Sequence, residues 1–309
     1  MTATANAPRG TCVSANGIEV CYEEFGDRAA PPMLLIMGLA CQMIVWDDDF
    51  CALLASRGFR VIRFDNRDIG CSTTFPQLRR PSVLEMAFVQ ATGLRIRIPY
   101  LLRDMANDAL GLLDALGIAR AHVVGISMGG AIAQEIAIRV PERMRTMTSI
   151  MSTTGDPKLP RPTRAALAQL GKKLPADRAG FVREYVATWR VLAGDGFPFD
   201  AERMARHGNE TFDRGVNPAG GARQLLAMIA SGNRTAALRH IGVPTLVIHG
   251  TADPLVPVEA GRATARAVPG ARLVLIDGMG HTLPAAVWPR IVDAIAEHAN
   301  ASPAESALS

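Results

Sequence analysis

Short apolar runs alternate with amphipathic segments along this chain, and that alternation narrows the choice of fold more than any other feature. Runs such as MLLIMG and AHVVGI have no polar alternation, which is typical of strands buried on both faces of a parallel sheet. Between such runs lie segments such as 103–116, whose apolar residues recur at about 3.6 positions. The order strand, helix, strand, helix predicts an α/β fold with a mostly parallel central sheet and helices on both faces.

The individual elements follow from the same patterns and from turn signals. Asn16-Gly17 predicts a tight turn before the first strand, and Pro289 leaves the start of the last helix uncertain. The predicted strands are 18–25, 33–38, 59–65, 121–126, 144–151, 244–250 and 271–277, and the predicted helices are 46–56, 103–116, 127–140, 257–268 and 285–298.

Two segments do not fit this rhythm. Residues 155–235 are rich in Pro, Gly and Arg, with helical patches and no convincing buried strand, which predicts a helical insertion in a core formed by 1–154 and 236–309. Residues 82–100 are apolar and end near two arginines. This second segment is open to three interpretations besides simple packing: a partner helix, a wall of the substrate entrance, or a membrane-touching surface.

A G-x-S-x-G pattern, Gly125 to Gly129, stands between a predicted strand and a predicted helix. A nucleophilic serine needs this context, because a tight strand-to-helix turn projects its hydroxyl above the sheet. Small residues at both ends let such a turn close, and the helix N-terminus supplies N–H groups for a developing oxyanion. The pattern predicts Ser127 as a nucleophile.

A serine nucleophile requires a base, and His281 is the best placed of the six histidines. It follows a strand and the turn Gly278-Met279-Gly280, at the edge of the sheet where doubly wound folds carry functional groups. The other five are interpreted as ordinary core or surface imidazoles: His122, His207, His240, His249 and His298.

The base in turn requires a carboxylate to orient it, and Asp253 follows the preceding predicted strand. The resulting order Ser, Asp, His is the one that this kind of fold uses. Asp253 could instead cap the next helix, while Asp277 and Asp156 are rival acids. The expected oxyanion donors are the backbone N–H groups of Met128 and Leu39, the latter in the loop after MLLIMG.

Composition excludes several other classes of protein. The 309 residues carry a net charge of only +4, and their basic residues are scattered, which argues against nucleic acid as a partner. The longest apolar stretch is too short to span a bilayer, and the N-terminus lacks the apolar core of a signal peptide, so the sequence predicts a cytoplasmic protein without stable membrane insertion. Five cysteines without metal-ligand spacing favour free thiols, although a Cys12–Cys21 cross-strand disulfide stays open.

Taken together, these segments resemble the α/β-hydrolase superfamily over nearly the whole chain, and more closely the bacterial serine esterases of the aclacinomycin methylesterase type and actinobacterial lipases/esterases. The resemblance implies a Ser127–His281–Asp253 triad, an oxyanion hole at Leu39 and Met128, and a floor braced by Asp65, Arg67 and Asp68. The segments that carry it are LLIMGL, VIRFDNRDIGCST, AHVVGISMGG, WRVLAGDGFPFD, PTLVIHGTADP and GMGHTLP.

The resemblance also implies that residues 155–235 form a helical cap that shapes an apolar pocket over the nucleophile. Packing within the cap is an equally good interpretation for its aromatic residues. The candidate pocket residues are Met37, Trp189, Phe197, Phe199 and Met228.

The expected activity is hydrolysis of small to medium, fairly apolar carboxylic esters through an acyl-enzyme. We expect no metal and no organic cofactor; a homodimer is compatible with the sequence. The same triad could instead cleave C–C, thioester or amide bonds, or act as a cofactor-free perhydrolase. Epoxide hydrolases and haloalkane dehalogenases are disfavoured because they carry a carboxylate where Ser127 stands. A ligand-binding protein without turnover usually lacks a triad member, and here all three are present.

Overall fold

A single eight-stranded sheet organises the protein in the computed structural model, which describes residues 10–94 and 98–301. The strand order is β1-β2-β4-β3-β5-β6-β7-β8. β2 pairs antiparallel with β1 and β4, and all other neighbours pair in parallel. The strands are β1 (Thr11–Ala15), β2 (Ile18–Phe25), β3 (Pro32–Ile36), β4 (Arg60–Phe64), β5 (Ala121–Ile126), β6 (Met144–Ile150), β7 (Thr245–Gly250) and β8 (Arg272–Ile276).

Helices cover both faces of this sheet, which confirms the predicted fold class. Successive residues of β3 point to opposite faces, so that Leu34 joins the core under α3 and α4 while Leu35 joins the core under α1 and α11. The helices are α1 (Asp48–Ser56), α2 (Val83–Thr92), α3 (Leu102–Ala115), α4 (Met128–Arg139), α5 (Arg164–Leu170), α6 (Arg178–Ala193), α7 (Ala201–Asp213), α8 (Pro218–Ser231), α9 (Thr235–Leu238), α10 (Val258–Ala267) and α11 (Trp288–Asn300).

The N-terminal hairpin contains the main departure from the sequence-based expectations. Strand β1 was not predicted, because its residues are mostly exposed and lack an apolar pattern. The register of β1 and β2 places Cys12 directly opposite Cys21, and the two sulfurs form a disulfide. The expectation of free thiols is therefore wrong for this pair. The remaining cysteines, Cys41, Cys51 and Cys71, are free.

Pro289 causes no break in the final helix. It lies in the first turn of α11, where its missing N–H would have had no partner within the helix. A short 3-10 turn over 285–287 precedes α11, so the predicted start at 285 is three residues early.

The segment between β6 and β7 contains α5 to α9, and it is attached to the core by buried ion pairs. Arg214 pairs with Asp65 at 2.5 Å, and Arg223 pairs with Asp68 at 2.6 Å. We refer to α5–α9 as the inserted helices. That residues 155–235 form a cap separate from the core stays a prediction.

Helix α2, in the second unusual segment, buries only one face. Val89 packs on a small cluster with Leu101 and Leu226, whereas Val83 and Leu84 are about four-fifths exposed, at 80% and 82%. In the described part of the chain, no helix is both long enough and apolar enough to cross a membrane.

Candidate active site

Ser127 occupies a strained turn between β5 and α4. Its φ of 54° and ψ of −118° are unusual for a residue with a side chain, and its N–H donates to the Ile150 carbonyl at 2.8 Å. Glycine is required on both sides. A Cβ at Gly125 would lie 2.2 Å from the Gly129 carbonyl oxygen, and one at Gly129 would lie 2.0 Å from the Ile36 oxygen. The turn therefore has the geometry of a nucleophile elbow.

The loop after β3 lies against this turn. A Cβ added to Gly38 would be 3.3 Å from the Ser127 Cβ, so the backbone approaches the serine closely there. Leu39 follows Gly38 in this loop, and Met128 is the first residue of α4. Both candidate oxyanion donors thus belong to segments that meet at Ser127, while their role stays a prediction.

His281 and Asp253 are in direct contact. The His281 Nδ1 and the Asp253 Oδ2 are 2.7 Å apart, in a site where the two residues are only 7% and 6% exposed. The other carboxylate oxygen of Asp253 accepts from the N–H groups of Leu255 and Val256 at 2.9 and 2.8 Å. These bonds fix the carboxylate, so one oxygen faces the imidazole.

The rival acids have other partners. Asp277 accepts a hydrogen bond from the Thr251 hydroxyl at 2.9 Å, and Asp156 accepts one from the Lys158 N–H at 3.0 Å. The geometry therefore favours Asp253 as the partner of His281.

A contact that sequence reasoning missed holds the His281 backbone. The His281 N–H donates to the Leu192 carbonyl at 2.7 Å, at the end of α6. Gly280 is needed for this approach, because a Cβ there would lie 2.2 Å from the Ala193 oxygen. Leu192 belongs to WRVLAGDGFPFD, one of the segments that carry the family resemblance, and this contact gives that segment a physical role. An inserted helix thus positions the candidate base.

A second imidazole lies behind the acid. His249 is fully buried, and its Nε2 is 2.8 Å from the Val256 carbonyl and 3.6 Å from the Asp253 Oδ2. Burial lowers the pKa of His249, which keeps the ring neutral near pH 7. A neutral ring donates its Nε2 proton to Val256, so His249 supports the loop that carries Asp253.

The candidate pocket residues are in varied surroundings. Met37, the first residue after β3, is buried in the core, and Phe199 lies under the Arg190 guanidinium. Trp189 packs beside Tyr185. Phe197 and Met228 are partly buried against the two core clusters. Their assignment to a pocket stays a prediction.

No three His, Cys, Asp or Glu side chains within 10–94 and 98–301 converge as metal ligands would. The expectation that no metal and no cofactor is needed rests on the chemistry of the serine, imidazole and carboxylate.

Comparison with known families gives one match that spans most of the chain. Residues 31–284 match the family described as the alpha/beta hydrolase fold. This range begins just before β3 and ends after His281, so it contains all three candidate catalytic residues.

Similar proteins include two methylesterases. The chain is 32% identical to rhodomycin D methylesterase DauP of Streptomyces sp. (strain C5), over 94% of this chain and 98% of that protein. It is also 32% identical to rhodomycin D methylesterase DnrP of Streptomyces peucetius, with the same coverage. Among solved structures, a meta-cleavage product hydrolase from Pseudomonas fluorescens IP01 superposes with a TM-score of 0.74 at 21% identity, over 94% of this chain and 97% of that one.

Proposed function

The chain belongs to the α/β-hydrolase family, and on that premise we propose that it is a serine carboxylic-ester hydrolase working through Ser127, His281 and Asp253. It is an enzyme of the carboxylesterase type, as its family and methylesterase relatives indicate. The observation that carries the proposal is the 2.7 Å contact between His281 Nδ1 and Asp253 Oδ2. Both residues follow parallel strands at the edge of the sheet where the strained Ser127 turn also lies.

In the proposed acylation step, the Ser127 Oγ attacks the ester carbonyl carbon while the His281 Nε2 takes its proton. Asp253 holds the Nδ1 proton, which leaves Nε2 free to accept and stabilises the imidazolium that forms. The tetrahedral intermediate collapses when His281 returns that proton to the leaving alcohol. The product of this half-reaction is an acyl-enzyme on Ser127.

Deacylation repeats the same steps with water as nucleophile. His281 removes a proton from water, which attacks the acyl carbonyl, and the acid leaves as Ser127 regains its proton. In both halves the N–H groups of Leu39 and Met128 donate to the developing oxyanion. Such donors act without reorganisation at the moment of reaction, and removing one typically costs about 10²–10³-fold in kcat.

The proposed substrates are small to medium, fairly apolar esters. Two methylesterases of 32% identity support an ester with a small alcohol. The contact of α6 with His281 supports the view that the inserted helices form a cap over the site, where an apolar acyl group would be shielded from water. Thioester, amide and C–C hydrolysis, and perhydrolysis, use the same residues and are outcomes that a substrate panel separates.

The test of this proposal is the hydrolysis of p-nitrophenyl butyrate by Ser127→Ala. We expect kcat to fall by at least about 10³-fold, since the nucleophile is lost. Ser149→Ala is the matched control: Ser149 lies on β6, is 1% exposed, and finds no hydrogen-bond partner among the described residues for its hydroxyl. The control should retain activity. Substantial hydrolysis by folded Ser127→Ala would refute the assignment.

A further inference from the structure

The loop that carries the candidate oxyanion donor Leu39 is a weakly closed turn. Its closing hydrogen bond, from the Cys41 N–H to the Gly38 carbonyl, is long at 3.4 Å. Ala40 at the third position has a φ of 56°, a conformation that turns usually give to glycine. Ala40 is also exposed, so burial of its side chain cannot fix it. The turn therefore needs a support from outside.

Gln224 on α8 supplies that support. Its Oε1 accepts a hydrogen bond from the Ala40 N–H at 2.9 Å, and its Nε2 donates to the Arg67 carbonyl at 2.8 Å. The orientation of this amide is unambiguous, since a backbone N–H can only donate and a backbone carbonyl can only accept. Gln224 is completely buried, so it bridges the loop after β3 and the loop after β4 from one fixed position.

Helix α8, which carries Gln224, is held on the core by polar contacts of its own. Arg223 makes a buried ion pair with Asp68, and the Asn217 side chain donates to the Asp68 carbonyl at 3.0 Å. The α8 backbone also approaches the turn, because a Cβ at Gly221 would lie 3.0 Å from the Ala40 Cβ. The position of α8 therefore determines where Ala40 sits.

We propose that Gln224 is a positioning residue for the oxyanion hole, through which the inserted helix α8 fixes the Leu39 N–H relative to Ser127. This inference rests on the proposed function. An oxyanion donor is effective only when it lies 2.7–3.1 Å from the developing charge, and a displacement of about 0.5 Å in the supporting shell is enough to weaken it. Without Gln224 the central peptide of the turn can rotate, because its N–H loses its partner and Ala40 is in a strained region.

The test is Gln224→Met, which keeps nearly the same shape but removes both hydrogen bonds. With p-nitrophenyl butyrate, and with rates normalised to sites titrated by a fluorophosphonate, we expect kcat to fall about 10–100-fold while KM changes less than about threefold. A matching trifluoromethyl ketone, which forms a hemiketal oxyanion on a serine, should bind more weakly by about the same factor as the loss in kcat/KM. A loss of packing alone would not produce that proportionality.

Gln169→Met is the matched control. It makes the same substitution on the inserted helix α5, where the Gln169 Oε1 accepts a hydrogen bond from the Thr188 hydroxyl at 3.4 Å and not from the turn around Ala40. It should keep near-wild-type kcat and ketone affinity. If Gln224→Met does not fold, Gln224→Asn carries the same test, because its amide is one methylene too short to reach both partners.

The outcomes separate this inference from the proposed function. Wild-type kcat and unchanged ketone affinity in the Gln224 variant, together with an inactive Ser127→Ala, would overturn the positioning role alone. An equal loss of kcat in Gln169→Met would overturn it too, since a general loosening of the inserted helices would then suffice. An active Ser127→Ala would instead remove the proposed function on which the inference depends.

Discussion

Both side-chain and backbone groups hold the residues of the candidate site in place. Asp253 orients the His281 ring through Nδ1, while the Leu192 carbonyl holds its backbone N–H. A base with both its ring and its backbone fixed needs little reorganisation during proton transfer. Asp253, the candidate acid, is fixed by two backbone N–H groups that donate to its second carboxylate oxygen.

Replacing the acid tests this arrangement. In Asp253→Asn the amide can donate to Nδ1, which would place the imidazole proton on Nε2 and remove its ability to accept from Ser127. We expect kcat to fall by about 10³–10⁴-fold with an intact fold. Asp277→Asn is the control, because Asp277 bonds Thr251 instead of His281, and it should keep near-wild-type activity. Similar losses in both variants would contradict the choice of acid.

The sequence predicted some of these residues and not others, for a physical reason. Ser127, Asp253 and His281 follow strands whose order along the chain places them at one edge of the sheet, so local patterns suffice. The Leu192 carbonyl is a backbone atom with no sequence signature, and Gln224 is one polar residue in an amphipathic helix. Their contacts arise only when the inserted helices dock on the core.

The junction of β5 and α4 is so closely packed that neither of its glycines has room for a side chain. The first turn of α4 runs so close to β3 that Gly129 has no room for a side chain. The sequence pattern Gly-x-Ser-x-Gly predicted this junction because the steric demand is local. By contrast, β1 escaped prediction because an edge strand with exposed residues has no apolar period.

Gly129→Ala should disrupt the elbow. Its methyl group would fall 2.0 Å from the Ile36 carbonyl oxygen, so backbone must move, and we expect a loss of at least about 3 kcal/mol in unfolding free energy together with loss of esterase activity. Gly242→Ala is the control, since a Cβ there meets nothing within 4 Å. Equal midpoints of thermal unfolding for the two variants would count against the steric account.

For the molecule as a whole, buried histidines couple stability to pH. His122 lies on β5 with its Nδ1 2.9 Å from the Thr146 hydroxyl, and burial, with a smaller effect of the Arg145 charge, lowers its pKa to about 4. Burial also lowers the pKa values of His249 and His298. The unfolded chain binds these protons near pH 6.5, so the folded state binds fewer protons below that pH.

The contribution of these histidines to the free energy of unfolding should therefore be complete above about pH 6.5 and decrease as the pH falls towards 4. For His122 the decrease is at most about 3 kcal/mol. His122→Gln should flatten the pH dependence of the unfolding free energy measured by urea denaturation between pH 4 and 6.5. His240→Gln, at an exposed position, should leave the slope unchanged. An unaltered slope in His122→Gln would contradict this assignment.

The proposed chemistry depends on one serine hydroxyl, at the bend between β5 and α4. Peptide mass spectrometry after reaction with a fluorophosphonate identifies the residue that reacts. We expect a single adduct on the peptide that contains Ser127, and no such adduct in Ser127→Ala. An adduct on a different residue, or no reaction by a folded and active protein, would contradict it.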